Sequence, residues 1–241
     1  MSTITTNQGP PIAAAPPIPP LHNGDRLTRE EFHRRYEAMP RSTMAELIEG
    51  VVYMPSPVRY EKHGKQHFDL IGWLGQYVAY TPGVEGGDNG TLKLDMKNEP
   101  QPDAFVIVVP AYGGQVRIDE DGYVVGGPEF VGEVSASSVC YDLHDKLEAY
   151  RRNRVQEYVV WRVEDRAIDW FVLRGEDFDQ LLPSADGFLK SVVFPGLWLD
   201  PQALMNGDLR RVFAVVQLGL QTAEHAAFVE RLAKSRFANP A

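Results

Sequence analysis

Three side chains in this sequence have the types needed to work on a phosphate ester: Asp103, Glu133 and Lys146. Asp103 follows Pro102 in QPDAFVIVVP, Glu133 interrupts the apolar run of FVGEVSASS, and Lys146 lies within YDLHDKLEAYRRN. Two carboxylates on adjoining strands with an ammonium nearby can hold a divalent cation and direct water onto a phosphodiester. Pro102 restricts Gln101 to extended geometry, which sets the Asp103 carboxylate at the mouth of a buried strand. A turn-capping aspartate is the alternative there, since Pro-Asp is a common turn pair. Around Glu133, a strand built from Phe130, Val131 and Val134 leaves little room for an ionised group, so the glutamate calls for a metal or a structural ion pair. Lys146 shares a spacing of three and four with Leu143, Leu147 and Tyr150, in a helix for which Asp142 is the expected cap. Its ammonium either meets an anion or snorkels to solvent along its apolar stem. Ser135, two residues beyond Glu133, points to the same side of the strand, but no base for a serine nucleophile is evident.

Two weaker candidates accompany these. Glu46 opens a strand and would add a third carboxylate able to hold a coordinated water in place. His63 would bind phosphate or move a proton, although a surface histidine that merely begins a helix is the plainer reading. His67 lies one turn further on, and a metal pair at that spacing needs a third ligand that no nearby motif supplies. Arg59, Lys62 and Lys65 form one basic cluster and Arg151, Arg152 and Arg154 another; both are expected phosphate contacts, with an ordinary solvated face as the alternative.

The elements that must position these groups follow from periodicity. Residues 1–24, including PPIAAAPPIPP, carry too much proline and too little to bury, and read as a disordered tail. In TREEFHRRYEAM, Thr28 caps a helix with Glu31 at the capping-box position and Phe32, Tyr36 and Met39 at helical spacing, ending before Pro40. AELIEGVVYMPSP reads as a hairpin about Glu49-Gly50. Phe68, Ile71, Leu74 and Val78 mark a second helix between Tyr60 and Tyr80. TLKLD, AFVIVV, FVGEV, YVVW and IDWFVL are candidate strands; AFVIVV and FVGEV are nearly unbroken apolar runs, as expected where both faces of a strand are covered. The glycine-rich, acidic segment AYGGQVRIDEDGYVVGGP reads as a long excursion rather than core. Two further helices are expected in GDLRRVFAVVQLGL and TAEHAAFVERLAK.

Composition limits the function classes. With 241 residues, 44% of them hydrophobic, the chain is long enough for one substantial core. Its net charge of -9 works against nucleic-acid binding unless the charge is unevenly spread. The single cysteine, Cys140, rules out an internal disulfide framework, suits a reducing cytoplasmic setting and reads as a small buried residue. No run reaches the roughly 18 apolar residues of a membrane span.

Taken in order, the hairpin AELIEGVVYMPSP, His63, Pro102-Asp103, Glu133-Val134-Ser135, Asp142 and Lys146 in YDLHDKLEAYRRN, and VQEYVVW resemble the Uma-two family of restriction endonuclease-like proteins in the PD-(D/E)XK superfamily. The resemblance runs from about Arg26 to Asp200. It implies an α/β fold with a central mixed β-sheet flanked by helices, preceded by the hairpin and followed by C-terminal helices. It also implies a divalent cation on the residues matching Asp103 and Glu133. The superfamily pattern has lysine two places after the second acid, where this chain has Ser135; Lys146 is similar to the migrated lysine of some members. The expectation is a Mg2+-dependent endonuclease acting on DNA, with Mn2+ as a substitute ion, a domain over residues 25–200 and a helical extension over 201–241. Asp103, Glu133, Lys146, Glu46 and His63 are its catalytic set. No organic cofactor or membrane partner is expected. The alternative is a nuclease-fold binding or regulatory module that does not cut. Homodimerisation, with Val212, Val215, Val216, Leu218 and Leu220 between subunits, is compatible with either.

Overall fold

The computed structural model describes residues 17–40, 42–55, 59–136 and 138–238. In chain order the elements begin with helix α1 (Arg29–Glu37), strands β1 (Glu46–Ile48) and β2 (Val51–Tyr53), a π turn at Tyr60–Gly64 and helix α2 (Lys65–Val78). Strands β3 (Val84–Asp88), β4 (Leu92–Lys93), β5 (Ala104–Val108), β6 (Arg117–Ile118), β7 (Val124–Val125) and β8 (Phe130–Ser135) follow. A helical stretch made of α3 (Val139–Tyr141), a π turn (Asp142–Lys146) and α4 (Leu147–Arg152) precedes β9 (Glu157–Arg162), β10 (Ala167–Arg174) and β11 (Asp177–Gln180). The chain closes with β12 (Leu189–Lys190), β13 (Trp198–Leu199), α5 (Pro201–Met205), α6 (Leu209–Leu220) and α7 (Ala223–Ala238).

Six strands form the central sheet in the order β11-β10-β9-β8-β5-β3. It is mixed: β8 and β9 run parallel, joined across the α3–α4 stretch, and the other neighbours are antiparallel. The fold is therefore the α/β arrangement expected, a mixed sheet flanked by helices. Every residue of β5 and β8 is buried, because both faces of these strands are covered. One face packs on α2, α6 and α7 through Leu70, Trp73, Phe130, Trp170 and Val216. The other packs on α4 and the excursion after β5 through Phe105, Val131, Tyr150, Tyr158 and Val160.

Local rules account for the first elements. Thr28 caps α1, its Oγ1 accepting from the Glu31 amide. Glu49 (φ 53) and Gly50 (φ 76) both take left-handed backbone and close the β1–β2 hairpin as a tight turn of the kind that matches strand twist. The hairpin is tied to the sheet side of the molecule by mutual bonds between Leu47 and Glu99, 3.1 and 2.7 Å long.

Several expectations need correction. The expected tail reaches only to about residue 20 within the described part: Leu21 is buried with Phe32 and Leu47, and the Gly24 amide donates to Val52 O. Residues 1–16 lie outside the described residues. On α2, the buried face is Leu70, Trp73, Leu74 and Tyr77, whereas Phe68 is exposed. The two aromatics turn inward because the Trp73 indole N–H and the Tyr77 hydroxyl reach the Trp198 and Pro195 carbonyls. TLKLD contributes only the short β4, which joins β7 and β6 in a separate three-stranded sheet. The excursion after β5 is not wholly outside the core, since Val116 and Val124 are buried against Phe105 and Tyr158. Cys140 is exposed, not buried. Val212, Val215 and Val216 are buried within the chain itself, under the α2 side of the sheet, so they are not free to face another subunit; Leu218 stays half exposed. Among the described residues no single helix is long and apolar enough to cross a membrane.

Candidate active site

Antiparallel register brings the two acids together. Ala104 of β5 pairs with Gly132 of β8, so one step outward Asp103 stands across from Glu133. The Asp103 amide lies 3.4 Å from Glu133 Oε2, and the Val134 amide donates to Asp103 Oδ2 at 2.7 Å. Strand alternation decides what else Glu133 meets. Gly132 lies against Leu70 of α2, whereas Glu133 faces the opposite side, toward α4. There Lys146 Nζ donates to Glu133 Oε1 at 2.9 Å, and Tyr150 OH donates to the same oxygen at 3.0 Å.

The π turn sets the lysine's direction. Lys146 does not snorkel; its side chain is 5% exposed and surrounded by acids. Besides Glu133 it meets Glu46 Oε1 at 3.1 Å and Asp142 Oδ1 at 3.9 Å. Glu46 comes from the hairpin strand β1 and also accepts from the Gln101 amide at 2.7 Å, which joins it to the segment leading into Asp103. Asp142 is not the expected helix cap. The helical stretch begins at Val139, and Asp142 sits inside it, buried, accepting from Ser138 Oγ at 2.5 Å. Ser135, where the lysine of the superfamily pattern would be, has its Oγ 3.2 Å from Ser138 Oγ. It is an outer support of the Asp142 side and carries no charge to the site.

Burial pushes the Glu133 carboxyl well up, while Lys146 pulls it the other way. Burial also works against the Lys146 ammonium, but Glu133, Glu46 and Asp142 together hold its pKa well above the ordinary value, so the lysine stays charged. On the open side, His63 Nε2 lies 3.2 Å from the Asp103 carboxylate. That bond raises the His63 pKa, and although burial opposes it, the same bond keeps Asp103 below the usual carboxylate range. His67 Nε2 lies 2.8 Å from Asp103 O and 3.0 Å from Asp88 Oδ1. Asp103, 40 and 36 positions away, could supply the third donor that His63 and His67 lack in the local sequence, although the His67 ring meets its backbone carbonyl and not its carboxylate.

All five expected catalytic residues line one cavity of about 870 Å3. Arg59 and Lys62 line it as well, with Lys62 Nζ bonded to Glu164 at 2.7 Å. Lys65 is exposed and outside the lining. The second basic cluster is elsewhere and paired: Arg151 with Glu148, Arg152 with Glu49, and Arg154 with Glu176. Residues that local pattern did not single out include Tyr150, whose place one turn after Lys146 on the same helical stripe was the available signal. Another is Tyr141, whose ring centroid is 5.5 Å from Lys146 Nζ.

The two carboxylates could offer oxygen donors to a hard divalent cation. Glu133 Oε2 is clear of the lysine and tyrosine, Asp103 is its cross-strand neighbour, and both reach the cavity, offering the oxygen donors such ions prefer. Comparison with known proteins bears on the family and the fold. The family described as "Uma2: Putative restriction endonuclease" matches residues 29–202. A crystal structure of "a putative nuclease belonging to DUF820 from Anabaena variabilis ATCC 29413" is similar in fold, with a TM-score of 0.54 and 12% identity over 79% of this chain and 99% of that one. No curated protein matches the sequence. A hairpin, a mixed sheet and two cross-strand acids, Glu133 paired with a lysine from the next helical stretch and Asp103 with His63, thus come together in a chain that belongs to the Uma2 family.

Proposed function

We propose that this protein is a divalent-metal-dependent endonuclease that hydrolyses phosphodiester bonds in DNA, with Mg2+ as its ion and Mn2+ as a working substitute. The observation that supports the reading is the 2.9 Å contact of Lys146 with Glu133, the acid across from Asp103, in a chain that has Ser135 where the superfamily pattern has lysine. Asp103 and Glu133 would hold the cation, which supplies charge compensation at the phosphate and makes water easier to ionise.

The chain's own residues do the rest. Lys146, held as an ammonium by Glu133, Glu46 and Asp142, would offer a positive group to the developing charge of the phosphate. Glu46 holds that ammonium in place from the hairpin side. His63, bonded to Asp103, holds a proton at Nε2 at the cavity wall and can pass it to a leaving oxygen. Arg59 and Lys62 are the phosphate contacts that line the cavity, Lys62 once released from Glu164; Arg151, Arg152 and Arg154 are engaged in ion pairs away from it. A cytoplasmic site of action belongs to the same reading.

The test is incubation of the pure protein with plasmid and short single-stranded DNA, with Mg2+, Mn2+ or chelator, beside Asp103→Ala, Glu133→Ala and Lys146→Ala. Cleavage that needs the ion and vanishes in all three variants supports the reading. Ion binding that both acid substitutions abolish, with no cleavage by the native protein, supports a binding or regulatory module instead.

A further inference from the structure

The cleft carries a second set of donors that does not involve Glu133 or Lys146. One ligand atom from each of His63, His67 and Asp103 lies within 4.8 Å of the others. His63 Nε2 is 3.2 Å from the Asp103 carboxylate, and the two imidazole rings stand one helical turn apart with centroids 5.6 Å from each other. Donors arranged tetrahedrally at about 2.0 to 2.2 Å from an ion stand roughly 3.4 Å apart; these lie within 4.8 Å of one another, and His67 Nε2, now directed at the Asp103 carbonyl and Asp88, must turn and give up its proton if it is the ligating atom. They are sheltered without being sealed: the side chains are 23%, 17% and 12% exposed and all three line the cavity. Asp88 Oδ1, 3.0 Å from His67 Nε2, stands beside the set as an additional oxygen.

The chemistry of this set differs from that of the two carboxylates. Two imidazoles and a carboxylate favour a borderline transition metal, whereas Mg2+ takes oxygen donors and gives up its water reluctantly. We propose that the cleft binds a Zn2+-class ion through His63, His67 and Asp103, at a site distinct from the Asp103–Glu133 pair. Asp103 is common to both sets, so occupancy of one is coupled to occupancy of the other. The binding site stands on its own geometry; its consequence, that a Zn2+-class ion changes Mg2+-dependent cleavage, rests on the nuclease reading above.

The experiment titrates Zn2+ and Mg2+ separately, by calorimetry, into the full chain and into His63→Gln, His67→Gln and Glu133→Gln, each checked for folding by thermal melting in chelator. Zn2+ affinity is expected to fall by about tenfold or more in both histidine variants and to change little in Glu133→Gln. Mg2+ affinity is expected to show the opposite pattern. X-ray absorption on the Zn2+-loaded native protein, which counts imidazole ligands, carries the test if a variant does not fold: two imidazoles support the site. No imidazole on the ion, no Zn2+ binding by the native chain, or Zn2+ affinity lost in Glu133→Gln and kept in both histidine variants overturns it. Loss of the Mg2+ response alone counts against the nuclease reading and leaves the Zn2+ site standing.

Discussion

Lys146 Nζ and Glu133 Oε1 are 2.9 Å apart and buried, with Glu46 Oε1 a further 3.1 Å from the same ammonium. Residues from the hairpin, the central sheet and a helical stretch thereby share one positive charge, and removing it leaves three acids facing each other.

Lys146→Met should therefore both abolish cleavage and destabilise the fold by about 3 kcal/mol, the size expected when one partner of a buried ionic cluster is lost. Urea denaturation measures the second effect. Adding Glu133→Gln to the lysine variant should recover part of the stability and none of the cleavage. A lysine variant as stable as the native chain would mean the cluster is not buried as described.

Tyr150→Phe removes one of the two donors on Glu133 Oε1 and leaves the lysine in place. The expected cost is roughly 1 kcal/mol in denaturant midpoint terms, with the protein still folded and ion-binding retained.

His63 should report on Asp103. The bond between them holds the His63 pKa above its ordinary value, so Asp103→Asn should move the His63 titration, followed by NMR, to lower pH. An unmoved titration would show that the His63 ring does not engage this carboxylate in solution.

Away from the site, burial pushes Glu157 up to about 7 against donation from Ser191, Val192 and Val193. Its native form keeps a proton that the unfolded chain releases near its ordinary value of 4.5, so stability is full below that value and is lost as pH rises to about 7. The loss attributable to this group is on the order of 3 kcal/mol. Thermal melts between these limits should show the decline, and Glu157→Gln should flatten it.

Gly50 closes the hairpin that presents Glu46, at φ 76 with Leu27 O only 3.3 Å from where a Cβ would stand. Gly50→Val should destabilise the protein by on the order of 1 kcal/mol or more. Cleavage should fall along with it, because the same hairpin steadies Lys146. Melting and activity measured on one preparation check both.

Much of the site was legible residue by residue, since burial makes ionised groups conspicuous. A glutamate inside FVGEV and an aspartate before AFVIVV stand out because an apolar strand tolerates charge only with a partner, and the lysine stripe supplied that partner. Phe68 and the excursion valines went the other way: whether an apolar residue is covered depends on what arrives from elsewhere in the chain. The three arginines after the lysine helix read as a phosphate patch, but Arg151 pairs locally with Glu148 and the fold brings Glu49 to Arg152 and Glu176 to Arg154.

Local chemistry in the chain determined the Thr28 cap, the left-handed turn at Glu49-Gly50, the doubly covered strands and the identity of the acids, because each depends on neighbours a few positions away. Tertiary structure alone decided that Asp103 faces Glu133, that Glu46 reaches Lys146 and that Asp103 lies beside both His63 and His67. Those meetings depend on strand order and on a register in which a slip of one residue would turn Glu133 to the α2 side of the sheet, and no short stretch of sequence encodes either.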